Sequence, residues 1–165
     1  MRKRDNRPGV CDWESGQKGT EKRFEDTAFY KYRGDFSWNG IRNEKYKPSG
    51  KDWADIVRKT LIGNHNETTR FHLRYFEIAP GGYSSFEMHT HEHVIIGIRG
   101  KGCCLVRNKK YTISFLDTLY IEPKAPHQLK NPFHEPFGFF CIVNAKRDKP
   151  KLLFDLTKRK RHPFE

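Results

Sequence analysis

The chain has 165 residues, 35% hydrophobic and 32% charged, with a formal net charge of +12. That suits one domain with a modest core plus some extension. No apolar run reaches the roughly 20 residues of a membrane helix, and no apolar signal segment follows Met1-Arg2-Lys3-Arg4-Asp5, so the expected location is cytoplasmic with no membrane partner. The positive field favours a small, anionic or phosphorylated substrate, and without a zinc-finger, RNP or helix-turn-helix pattern nucleic acid is not the expected partner.

Residues 1 to 26 are polar and lack periodicity, and the densest basic run, Lys158-Arg159-Lys160-Arg161, closes the chain. Four cysteines, Cys11, Cys103, Cys104 and Cys141, form no CxxC pair and read as reduced thiols. From Phe29 to Lys47 the chain turns aromatic. Phe36 and Trp38 with Gly40-Ile41 predict a short strand and turn, and Lys47-Pro48-Ser49-Gly50 a second turn. In residues 53–62, Trp53, Ile56 and Val57 follow a helical spacing, whereas the β-branched density before Gly63 suits a strand. The reading taken is a strand, followed by a polar loop to Thr69.

Strand signals then come without pause. Phe71 to Ile78 alternates, with Phe71, Leu73, Tyr75 and Glu77 on one face, and Pro80-Gly81-Gly82 is expected to end it. Further strands are expected over 84–89, 94–98, 103–107, 111–115, 118–121 and 137–143, with a hairpin turn at Asn108-Lys109-Lys110. Many short strands at such intervals predict an all-β antiparallel sandwich or barrel. The aromatic N-terminal segment and open sheet edges point to a homodimer.

Chemistry concentrates between Gly81 and Gly100, where Glu87, His89, His91 and His93 stand at alternate positions. His127 follows in PKAPHQLKN. Clustered imidazole and carboxylate beside β-type sequence is the composition of a divalent metal site. Residues two apart on a strand share a face, so either His89 with His91 or Glu87 with His89 can grip one ion. A third ligand on the next antiparallel strand needs a turn. Three intervening residues make one and a single residue does not, which favours Glu87, His89 and His93. His91 then sits in the turn as a spare ligand, a supporting donor or an exposed side chain.

These residues resemble the cupin superfamily. The first cupin motif has Gly, His, His, Glu and Gly at the spacings kept here by Gly81, Glu87, His89, His93 and Gly100. The second has Gly, Pro, Gly, His and Asn where this chain has Leu116, Glu122, Lys124, His127 and Asn131. Glu87 and His93 exchange the family's His and Glu, and three backbone-shaping positions are replaced. The resemblance covers residues 70–145. It implies an antiparallel double-stranded β-helix, the jelly-roll barrel, over 68–145, with an N-terminal extension over 1–67 and a basic tail over 146–165. It also implies Glu87, His89, His93 and His127 as ligands of Mn, Fe, Co, Ni or Zn. The stretches RYFEIAPGGYSSFEMHTHEHVIIGIRGKG and PHQLKNPFHEPFGFFCIVNAKRDKP are similar to a bacterial cupin subgroup. That subgroup includes the isomerase of 5-methylthioribulose 1-phosphate, whose product is 1-methylthioxylulose 5-phosphate.

The resemblance implies a metal-dependent isomerase of a phosphorylated sugar, working by enediolate proton transfer. Such chemistry needs a base, and the candidates are His91, Tyr75, Glu77 and Cys141. Arg74 points away from Tyr75 and Glu77 if the strand is regular. Arg99, Lys101, Lys124 and Lys130 are cations near the expected barrel mouth, and Gln128 and Asn131 read as facing away from the ion and stabilising a turn. The alternatives are an Fe or Mn oxygenase or decarboxylase on a small oxygenated acid, and a non-catalytic small-molecule-binding cupin.

Overall fold

In the computed structural model, residues 27–47, 50, 52–65 and 67–153 are described. Cys11 and the basic run at 158–161 lie outside them. Alternation of apolar and polar residues gives thirteen strands among the described residues: β1 Tyr32–Gly34, β2 Ser37–Trp38, β3 Glu44–Lys45, β4 Ala54–Ile62, β5 Phe71–Tyr83, β6 Glu87–Met88, β7 His93–Arg99, β8 Gly102–Val106, β9 Lys109–Ile113, β10 Thr118–Ile121, β11 His127–Lys130, β12 Phe137–Asn144 and β13 Lys151–Leu152. The doubtful 53–62 segment is strand β4. Its helical spacing loses to the ladder it forms with β5, from Ala54↔Tyr83 to Ile62↔Leu73.

Every pairing is antiparallel. One run of neighbours is β3-β4-β5-β12-β7-β10 and the other is β9-β8-β11-β6-β13, joined where Lys130 of β11 faces Tyr83 of β5. The two sheets form a nearly closed all-β barrel, the jelly-roll expected from the sequence. Phe76 and Ile78 from β5, Ile95 from β7, Leu129 from β11 and Phe137, Phe139 and Cys141 from β12 are buried in its interior. Each such Phe contributes roughly 1.5–3 kcal/mol through burial.

The Pro80-Gly81-Gly82 run does not end β5 as expected. Gly81 takes φ +79, which only glycine adopts without strain, and its amide donates to the Asn131 carbonyl at 2.8 Å. The strand therefore bends from one sheet into the other and continues to Tyr83. Asn131 secures that bend, donating from Nδ2 to the carbonyls of Ile78 and Glu135. The strand expected over 84–89 contracts to two residues, because its ends hydrogen-bond outside the ladder: the Ser84 amide donates to the Leu129 carbonyl and the Lys124 amide to the His89 carbonyl. The β8–β9 turn falls at Arg107-Asn108, with Arg107 at φ +54.

Leu116 and Lys124 stand where the cupin pattern has glycines, and both keep the left-handed backbone, at φ +65 and +62. The loop geometry is retained without the residue that makes it strain-free.

Outside the barrel, the β1–β2 hairpin covers the outer face of β5. Phe36 stacks on Tyr75 with centroids 5.4 Å apart, and Trp38 lies 5.5 Å from the same ring. Lys59 Nζ donates to the Phe36 carbonyl at 2.6 Å, tying the hairpin to β4.

Candidate metal centre

The ends of three strands carry the site. β6 delivers Glu87, the turn after it carries His89 and His91, β7 opens with His93, and β11 opens with His127. Pairing of His127 with Glu87 across β11 and β6 brings the two motifs together. The ligand-capable nitrogens of His89, His93 and His127, all buried, lie within 4.8 Å of one another.

The hydrogen bonds decide which nitrogen each ring offers. His89 Nδ1 donates to the His91 carbonyl at 2.8 Å and His127 Nδ1 to the Ala125 carbonyl at 2.9 Å. His93 Nδ1 lies 3.2 Å from the Cys141 thiol. With Nδ1 engaged, Nε2 holds the lone pair, the usual arrangement behind a metal-binding histidine. The Nε2 atoms of His89 and His93 approach to 2.7 Å, a distance at which two lone pairs repel unless a proton or cation is shared. Burial, followed by the neighbouring histidines, pulls His89 down to about 4 and His93 well below its ordinary value. His127 is lowered too, chiefly by burial. Three neutral imidazoles at pH 7 fit a divalent ion of the Mn-to-Zn series.

Glu87, expected among the ligands, stands beside this trio but pairs with Lys47, Oε2 to Nζ 2.6 Å, while Lys47 also donates to Ser85 Oγ at 2.7 Å. His91 is buried, not exposed. Its ring stacks on His89 with centroids 3.7 Å apart, and its carbonyl orients His89. Its Nδ1 donates to Asp148 at 2.8 Å. Asp148 also accepts from the Thr90 amide at 2.9 Å, so the segment after β12 folds over the turn and sits there before β13 pairs with β6.

The cluster opens on a cavity of about 280 Å³, near the lower end of small-ligand pockets at roughly 300 Å³. Phe76, Ile95, Leu129 and Phe139 supply apolar wall, and Cys141 lines it beside His93. Burial pushes the Cys141 thiol up, although the Arg74 guanidinium at 3.2 Å opposes that. Tyr75 and Glu77 do not line the cavity. They share the opposite face of β5, where the Tyr75 hydroxyl donates to Glu77, and Glu77 pairs with Arg99 at 2.8 Å under the β1–β2 hairpin. Of the four candidate bases, His91 and Cys141 line the cavity, whereas Tyr75 and Glu77 lie on the other face of β5, beside the hairpin. The inward face is the one with Arg74, Phe76 and Ile78.

Arg99 is held on the outer face by Glu77 and Asp35. Gln128 turns from the cluster and donates to the Ser84 carbonyl. Sequence reasoning missed Lys47, Arg74, Arg147 and Asp148. For Arg74 the signal was its parity with Phe76 and Ile78; Lys47 and the two residues after β12 carry no local signal, since distant pairings bring them to the site.

The Cupin domain family matches residues 74–143. A 1-methylthio-D-xylulose 5-phosphate methylsulfurylase from Rhodospirillum rubrum is 33% identical over 129 residues, 78% of this chain and 81% of that protein. Its named activity is not the isomerase of the expected subgroup. Among solved structures, a cupin 2 conserved barrel domain protein from Rhodopseudomonas palustris superposes with a TM-score of 0.69 at 32% identity, covering 76% of this chain and 86% of the other. A cupin-2 domain protein from Rhodospirillum rubrum gives 0.67 at 31% identity, over 78% and 85%. Barrel, histidine cluster and relatives agree, and the chain belongs to the cupin superfamily as a single β-barrel domain.

Proposed function

We propose that this chain is a metal-dependent enzyme acting on a methylthio-ketose phosphate: a thiol co-substrate attacks the thioether sulfur and takes the methylthio group as a mixed disulfide, while the electron pair of the broken C–S bond stays on carbon as the enolate of the ketone, which is then protonated. The observation that carries the reading is the Cys141 thiol, 3.2 Å from a histidine of the metal cluster and lining the same cavity. The Rhodospirillum rubrum relative, which acts on 1-methylthio-D-xylulose 5-phosphate, supports the substrate class. An ion at His89, His93 and His127 supplies Lewis-acid polarisation of a carbonyl, which acidifies the neighbouring C–H.

The chain's own residues divide the remaining work. His91 lines the cavity with Nδ1–H committed to Asp148, which leaves Nε2 to accept a proton. Cys141, protonated at neutral pH because burial raises it, stands ready to donate one. Phe76, Ile95, Leu129 and Phe139 exclude water around the reacting carbons and offer an apolar surface to a thioether. Isomerisation of 5-methylthioribulose 1-phosphate is the second reading. The motif resemblance favours it, and it needs the same proton transfers.

The test is to load the protein separately with Mn, Fe, Co, Ni and Zn. Each form is then offered 1-methylthio-D-xylulose 5-phosphate with a thiol reductant, and 5-methylthioribulose 1-phosphate without one, followed by proton and phosphorus NMR. A methyl mixed disulfide, or the methanethiol that a second thiol frees from it, supports the first reading, and a new isomer alone supports the second. Oxygen uptake favours the oxygenase alternative, and no turnover with any metal refutes both proposals.

A further inference from the structure

The cavity carries more positive charge in its lining than the protein neutralises. Its lining includes Lys47, Arg58, Arg74 and Arg147 against only Glu87 and Asp148. Lys47 is committed to Glu87, Arg58 to Glu44 outside the lining, and Asp148 to His91. Among the described residues, no carboxylate pairs with Arg74 or Arg147.

Arg74 is the more telling of the two. Its guanidinium packs 5.1 Å above the Phe76 ring and donates from Nη2 to the Cys141 sulfur. Its Nε is buried with no hydrogen-bond partner. A buried guanidinium N–H without an acceptor costs free energy unless something arrives to accept it. Arg147 enters from the chain leaving β12, where Nη1 donates to the Asn144 carbonyl at 2.7 Å. It is held below its ordinary pKa, first by desolvation and then by Arg74, so the two cations press on each other across the site. Two guanidinium groups lining one cavity, each with N–H donors left after the single hydrogen bond it makes and neither paired with a carboxylate among the described residues, match the oxygens of a phosphomonoester dianion.

We propose that Arg74 and Arg147 form the phosphate-binding pole of the cavity, taking the phosphomonoester of the substrate and setting its carbon chain between themselves and the histidine cluster. This rests on the phosphorylated-ketose reading for the identity of the substrate, and on the two guanidinium groups without a carboxylate partner alone for the anion site. The hydrogen bond from Arg74 to Cys141 then joins the phosphate pole to the thiol, so phosphate binding also fixes where the reacting carbons lie relative to Cys141.

The test uses the full chain, stripped of metal, with inorganic phosphate as probe. Binding is followed by isothermal calorimetry and by the rise in melting temperature, and acetate serves as a monoanion control. Arg147→Gln, near the surface, and Arg74→Lys, which keeps charge but loses the fork, are compared with wild type after circular dichroism shows both folded. Each lost charge-assisted contact is expected to weaken phosphate binding by about 10- to 100-fold. In the active metal-loaded enzyme, KM for the phosphorylated substrate is expected to rise more than kcat falls. Phosphate binding that is absent in wild type, unchanged from wild type in both variants, or matched by acetate overturns the proposal. Loss of phosphate binding in the variants of a protein that turns over neither methylthio-ketose phosphate keeps the anion site and rejects the reaction. Turnover with KM unchanged in both variants keeps the reaction and rejects the site.

Discussion

Lowering the pH of the metal-free protein reads the histidine cluster directly. His89 is pulled from the ordinary 6.5 to about 4 in the fold, and His93 and His127 are lowered in the same direction. A histidine with a depressed folded pKa binds fewer protons folded than unfolded in the interval between the two values. Stability is therefore full above pH 6.5 and falls as the pH drops through 6.5 towards 4. Between pH 7.5 and 4.5, His89 alone corresponds to a loss of about 2–3 kcal/mol, from 1.36 kcal/mol per unit. His93 and His127 add to that loss. Urea unfolding followed by tryptophan fluorescence at pH 7.5, 6.5, 5.5 and 4.5 measures it. His89→Asn removes one titrating ring, so its acid slope should be shallower than wild type. Divalent metal at a thousandfold excess over Kd should add about 4 kcal/mol at pH 7.5. That increment should shrink on acidification as protons compete for the ligand nitrogens. An unchanged slope in His89→Asn, or stability that rises as the pH falls through this window, refutes the buried neutral trio.

Three further outcomes follow from the geometry. Leu116→Gly and Lys124→Gly, both in left-handed backbone, should each relieve roughly 1 kcal/mol of strain, partly offset by the greater freedom of glycine in the unfolded chain, giving a neutral to higher melting temperature. Gly97→Ala should cost at least about 1–3 kcal/mol in urea unfolding, because an added Cβ falls 2.1 Å from the Ser114 carbonyl oxygen, against backbone that cannot swing away. Tyr75→Phe should leave kcat within about twofold whereas Cys141→Ala lowers it at least about 100-fold, since Tyr75 lies under the outer hairpin and Cys141 lines the cavity. Equal losses in a steady-state assay would place the base on the Tyr75 face instead.

The fold was legible because strand alternation and turn residues act locally. β7, β10 and β12 fall within a residue or so of where the pattern places them. The spacing of His89 and His93 also brings those two rings together, since it spans one turn, while His127 joins them through the pairing of β11 with β6. β11 went unrecognised because HQLK is four residues long and polar, and it is held by β8 on one side and β6 on the other. Which face of β5 turns inward stayed open in the sequence for a different reason. Alternation marks a buried face only when the other face meets water, and here Phe36 and Trp38 keep Tyr75 as dry as Phe76. Lys47, Arg147 and Asp148 illustrate the remaining gap. They reach the site through contacts 40 to 58 residues apart in the chain or from outside the motifs, and no periodicity encodes that.

Glu87 shows how such a distant contact changes the meaning of a motif position. By spacing it is a ligand; by contact it is the counter-ion of Lys47. The two roles compete for one charge. Lys47→Met removes a positive charge beside the expected dication and releases a carboxylate facing His127 across the β6–β11 pair, so both changes favour metal. Without metal the variant should lose about 1–2 kcal/mol, because a partly buried carboxylate is left without its partner. With metal, affinity should rise at least about tenfold, or 1.4 kcal/mol, by competition against a fluorescent chelator. In Lys47→Met with Glu87→Gln, the gain from the released carboxylate should disappear and only the smaller charge effect remain. If the double variant binds metal as tightly as Lys47→Met alone, Glu87 holds Lys47 in place and never reaches the ion. The centre is then a three-histidine site whose motif carboxylate has been turned to the wall.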